Sequence, residues 1–81
     1  MYVNDKGEKA ILYGNIILKK MITNIHVNLK KKDFLLVFNQ LNELIAIAQS
    51  QVDFEDIQNL EPNKSIAINL VDKGYYLRKK Q

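Results

Sequence analysis

An α+β domain is the fold class this sequence predicts: an antiparallel sheet of about four to five strands, with helices covering one face, in the order strands, helix, helix, hairpin. Three observations point there. Apolar and polar residues alternate over 24–29 and 66–70, the period of a half-buried strand. Apolar residues recur from Phe34 at 37, 38, 41, 44, 45 and 48, the period of one helical face. The two kinds of stretch also come in blocks rather than in turn, which argues against a parallel α/β arrangement.

Taken in order, Asn4, Asp5, Lys6 and Gly7 have the composition of a hairpin tip, with Gly7 free to take the left-handed position. The tip would join a short N-terminal strand to a second over 8–13. Gly14-Asn15 reads either as a two-residue hairpin turn or as a bulge in one long strand reaching Lys20. Ile25, Val27 and Leu29 then mark a strand whose polar side carries Asn24, His26 and Asn28.

The long helix is expected over about 33–49, with Asp33 as N-cap accepting from the free amides of the first turn. A short second helix is expected over about 53–60. Asp53 and Asp56 stand where a capping box has Ser/Thr and Glu/Gln, Phe54, Ile57 and Leu60 share a face, and Glu61-Pro62 ends it. Ile66, Ile68 and Leu70 mark the next strand. A second Asp-Lys-Gly triplet, at 72–74, would turn it into a last strand over 75–79.

The 81 residues allow one domain, 1–81. With 47% hydrophobic and 26% charged residues, the chain has the composition of a folded protein. It has no cysteine and one histidine, which excludes a disulfide framework, a thiol nucleophile and a Cys/His zinc site. The longest apolar run, 34–38, is far short of the ~20 residues a membrane-spanning helix needs. The N-terminus lacks the order of a signal peptide. A soluble, cytoplasmic protein without membrane contact is expected.

Charge is unevenly laid out. Residues 1–32 hold seven lysines against Asp5 and Glu8, residues 33–62 hold six acids and no Lys or Arg, and residues 63–81 hold five cations against Asp72. The nets are +5, −6 and +4. If the outer pieces form the sheet and the middle piece covers its back, the molecule has a basic side and an acidic side, a property that governs partners rather than fold. Eleven lysines to one arginine, nine asparagines and ten isoleucines fit AT-rich coding, as in a low-GC bacterium or its phages and plasmids.

Catalysis has little to stand on. His26 lies on a polar strand face, and Ser50 and Ser65 have no base–orienter pair. The three glycines match no dinucleotide or phosphate-loop fingerprint. Asp53, Glu55 and Asp56 lack calcium-loop spacing and suit a helix start instead. No enzyme activity, metal or cofactor is expected.

Three constellations suggest binding. Lys30, Lys31 and Lys32 directly precede the expected helix start, where ammonium groups and free amides would make an anion site; a solvated loop is the plainer alternative. In the last hairpin, Tyr75 faces outward near Arg78, Lys79 and Lys80, as stacking on an unpaired base requires, though packing on Ala67 would also explain it. Leu36 and Ile47 project together from the back of the long helix, where a second subunit or another protein could contact them. The function these support is a small, non-enzymatic nucleic-acid-binding protein using its basic sheet side, on single strands or without strict sequence preference. The alternative is a phage- or plasmid-encoded inhibitor or adaptor of a host nucleic-acid enzyme. The partners expected are nucleic acid or a host protein, with a homodimer through Leu36 and Ile47.

Overall fold

The computed structural model describes residues 1–25 and 28–74. Its elements are β1 (Tyr2–Val3), α1 (Asp5–Leu12), β2 (Ile17–Leu18), a 3-10 turn (Lys19–Met21), β3 (Ile22–Asn24), β4 (Phe34–Phe38), β5 (Leu44–Ser50), α2 (Phe54–Ile57) and β6 (Ser65–Asp72). The class is α+β, as the sequence predicts, but the sheet is mixed. Its six strands run in the order β2-β6-β5-β4-β1-β3, and β1 lies parallel to β4 through Tyr2 and Phe38.

The largest correction concerns 33–49, which is the central hairpin of the sheet and no helix. Every residue from Phe34 to Phe38 is apolar, so the stretch serves a strand with both faces occupied as well as it serves a helix. What decides is the turn. Asn39 Oδ1 accepts from the amides of Leu41 and Glu43 at 3.0 and 2.9 Å, Asn39 N donates to Glu43 O at 3.0 Å, and Asn42 takes a left-handed φ of 65°. Asparagine tolerates that region and bonds its own backbone two residues on. Leu41, the centre of the supposed helical stripe, stands 81% exposed at the hairpin tip.

The N-terminal hairpin is also overturned. Asn4 is the N-cap of α1: its Oδ1 accepts from Gly7 N at 2.7 Å, and Asp5 and Glu8 lie in the first turn, where carboxylates favour the helix dipole. Gly14, with φ 85°, follows the helix and donates to Ile11 O at 2.8 Å, so Gly14-Asn15 is a helix ending, neither hairpin turn nor bulge. Gly7 is buried where α1 meets the 3-10 turn, and a Cβ there would stand 2.8 Å from Met21 Cβ.

Elsewhere the expectations are partly met. The strand expected over 24–29 meets β3 only at Asn24, where β3 ends, and Leu29 is buried outside any strand. His26 and Val27 lie outside the described residues. α2 is a single turn, and Asp53 makes no side-chain capping bond, so the capping box is absent. β6 matches the expected strand, whereas the last strand over 75–79 lies outside the described residues.

Register separates the sheet into two faces. Leu35 pairs with Ala48 and Val37 with Ala46 on an inner face, and all four are buried. α1 packs on this side, where Asn69 Nδ2 donates to Ile11 O at 3.0 Å and Asn39 Nδ2 to Glu8 Oε2 at 3.0 Å. Leu36 pairs with Ile47, and Ile47 with Val71, on the outer face, where all three are exposed. Ile66 has outer parity yet is wholly buried, at the end of the sheet joined to the 28–33 loop and α2. The N-terminal amine of Met1 donates to Leu36 O at 3.1 Å, and burial lowers its pKa. Among the described residues no helix is long and apolar enough to cross a membrane.

Candidate nucleic-acid interface

The lysines at 30–32 sit in a tight loop ahead of a strand, so no helix dipole adds to their charge. Their backbone amides are all engaged. Lys30 N donates to Asp33 Oδ2 at 2.9 Å, Lys31 N to Asp53 Oδ1 at 2.8 Å, and Lys32 N to Ser50 O at 2.7 Å. Lys32 itself is left-handed, with φ 78°. The expected helix-start anion site is therefore replaced: the chain's own carboxylates and a carbonyl occupy the amides a phosphate would need. The three side chains remain exposed, and any phosphate contact falls to their ammonium groups.

The hydrogen bonds of this region place further cations beside it. Lys32 N reaches Ser50 O, Gln51 N reaches Ile66 O at 2.8 Å, and Lys19 N reaches Lys64 O at 2.9 Å, all at one end of the sheet. Lys20 and Lys64 are exposed there. Lys19 is committed elsewhere: its Nζ donates to the carbonyls of Gln58 and Leu60, securing the segment after α2. Asp33 and Asp53 lie within the same loop system as the lysines. The expected division into a basic sheet and an acidic back is thus not realised, because the acidic middle piece supplies the two central strands and its carboxylates tie down the basic loop.

A second basic surface runs along α1 and was not anticipated from the sequence. Lys6, Lys9 and Tyr13, spaced three and four apart, share one exposed face, and the Tyr13 ring is 77% exposed beside the Gly14 turn. A ring flanked by ammonium groups can stack on a base while the cations hold its backbone. The signal was present: an Asn N-cap, acids in the first turn and a glycine just past the end spell a helix.

Of the other site residues read from the sequence, Tyr75, Arg78, Lys79 and Lys80 lie outside the described residues. Leu36 and Ile47 are brought together, though by strand pairing and not on a helix. At the opposite edge, Tyr2, Thr23, Asn24 and Gln40 line a polar recess of about 300 Å³. There Gln40 Nε2 donates to Val3 O and Thr23 Oγ1 at 2.8 and 2.9 Å, Tyr2 OH donates to Asn42 Oδ1, and the Tyr2 ring stacks on Phe38 at 5.3 Å. Among the described residues no group of His, Cys, Asp and Glu side chains could hold a metal ion.

A mixed six-stranded sheet backed by one short helix, with its cations on connecting loops and helix faces, defines a small module of PUA-like fold. The UPF0113 PUA domain family matches residues 1–81, and the chain belongs to that family. A UPF0113 protein of Archaeoglobus fulgidus is 30% identical over 78 residues, which make up 96% of this chain and 44% of that protein. This chain therefore spans less than half the length of that relative. A conserved PUA domain protein from Thermoplasma acidophilum superposes with a TM-score of 0.83 at 19% identity, covering 98% of this chain and 52% of that one. A chain of the archaeal box H/ACA Nop10–Cbf5 complex gives 0.80 at 14% identity, covering 88% and 22%. A chain of an H/ACA ribonucleoprotein bound to a substrate RNA gives 0.73 at 21% identity, again covering 88% and 22%. At these identities the structural matches establish the fold.

Proposed function

We propose that this chain is a non-enzymatic RNA-binding module that holds the phosphate backbone with exposed lysines. The observation that carries the reading is membership of the PUA domain family over the whole chain, on a fold shared with chains of H/ACA ribonucleoproteins, one of them solved with substrate RNA. The surface supports it. Lys30, Lys31 and Lys32 present three ammonium groups from a loop whose backbone is already satisfied, and α1 presents Lys6 and Lys9 beside the exposed Tyr13. Tyr75, Arg78, Lys79 and Lys80 remain part of the proposed contact on the strength of their sequence. The relatives named are archaeal, and the phage or plasmid inhibitor draws no support from them.

Fluorescence anisotropy with a labelled RNA hairpin, titrated at several salt concentrations, tests this. Wild type binds saturably at low salt. Changing Lys30, Lys31 and Lys32 to Gln lowers the slope of log K against log salt by about 2–3, as loss of three phosphate contacts requires. Absence of saturable binding at low salt overturns the RNA reading, and an unchanged slope in the triple variant removes the loop from the interface.

A further inference from the structure

We propose that the outer face of β4, β5 and β6 is the seat of a second folded domain, of the kind that makes up the rest of the longer relatives. The inference is independent of RNA binding. Register arranges the outer face in rows. Leu36, Ile47 and Val71 cross three strands side by side, 51%, 39% and 49% exposed. Phe34, Gln49 and Ile68 form the next row, with Phe34 70% exposed. Phe38 and Leu44 continue the face toward β1. A contiguous apolar surface across three neighbouring strands is uncommon on a protein that stands alone and marks a surface of association. One corner is concave: a groove of about 300 Å³ opens along Leu44, Ile47 and Val71, with Asp72 and Lys73 also lining it.

The chemistry and the lengths select the occupant. The rows carry no charged side chain and the groove adds Lys73 beside Asp72, so a phosphate finds less there than on the surfaces where several lysines stand together. A folded domain with its own apolar face answers them well, since domain–domain contacts bury complementary apolar surface. The region like this chain is 44% of the Archaeoglobus protein and 52% of the Thermoplasma chain, so each carries a comparable length of further polypeptide. That polypeptide must pack somewhere. α1 already packs on the inner face and Ile66, at one end of the outer face, is already buried, which leaves these rows as the broadest apolar surface still open among the described residues. The occupant is such a companion domain, whichever chain carries it.

Hydroxyl-radical footprinting read by mass spectrometry tests the assignment. Phe34, Leu36 and Ile47 in this chain, at a concentration where sedimentation velocity shows a monomer, are expected to be oxidised several-fold faster than the aligned residues in the intact Archaeoglobus protein, where the companion domain is present, each rate being normalised to the intrinsic reactivity of its side chain. Equal oxidation in the two proteins overturns the proposal. So does a dimer of this chain that a Leu36→Lys, Ile47→Lys double variant reduces to monomer, which would make a second copy the occupant. Protection of the three residues in this chain on adding the RNA hairpin would assign the face to RNA instead.

Discussion

The two faces of the central hairpin are built from alternate residues of the same two strands, yet one is core and the other is surface. Leu35, Val37, Ala46 and Ala48 point inward and are buried in the core, on the side where α1 packs against β5 and β6, while Phe34, Leu36 and Ile47 point outward with much of each side chain exposed. Their hydrophobicity does not separate them; if anything, the outward set is larger. What differs is whether another element has apolar surface to offer against them. Burial in a sheet is a property of the pair of layers, not of the strand, and among the described residues no second layer covers the outer face.

Single truncations on the two faces should differ most. Leu35→Ala is expected to cost about 2–5 kcal/mol of stability, because it empties a packed site in the core. Urea denaturation reads this directly, and a loss below about 1 kcal/mol would break the contrast between faces.

The cover itself is the next point of attack. Gly7→Ala pushes a methyl into Met21 Cβ and Val3 Cβ, which cannot withdraw as the tip of a long side chain could. Overpacking costs about 1–3 kcal/mol, offset by roughly 1 kcal/mol of gained helix propensity. A net loss with a lowered thermal midpoint is therefore expected, and a stabilised variant would show that α1 sits less closely than its contacts state.

Lys19 sharpens the comparison from the other side, since it secures the segment after α2, at the end of the sheet where Ile66 is buried. Lys19→Met keeps the stem and removes the bonds to Gln58 and Leu60, at a cost of about 1 kcal/mol. Faster amide exchange confined to residues near α2 and Ile66 is the expected signature. Exchange that rises across the whole sheet would mean that this end is not a separate closure.

The smallest effects belong to the open face. Leu36→Ala and Ile47→Ala should each move stability by no more than about 0.5 kcal/mol in the isolated chain, as does truncation of most exposed residues. A urea midpoint shift comparable to that of Leu35→Ala would show the face buried in the protein as it stands in solution.

The sequence by itself determined the class, α+β, and one strand, β6, from the alternation of Ile66, Ile68 and Leu70 with Ala67 and Asn69, although the structure buries Ala67 and leaves Ile68 and Leu70 exposed. It also singled out Leu36 and Ile47 as a pair without intramolecular duty. Both are exposed in the structure, but on an open sheet face and not on a helix, and among the described residues no other element covers them. The central hairpin was not legible. In a run that is apolar at every position from 34 to 38 the two periods coincide, and only the bonds of Asn39 to Leu41 and Glu43 settle which applies. Nor could the sequence show that Asp33 and Asp53 would fold back onto the lysine amides, since Asp53 meets Lys31 across 22 positions. Local pattern sets which faces a segment offers. Only the tertiary structure decides which of them meet, because burial and long-range hydrogen bonds exist only once distant segments are brought together.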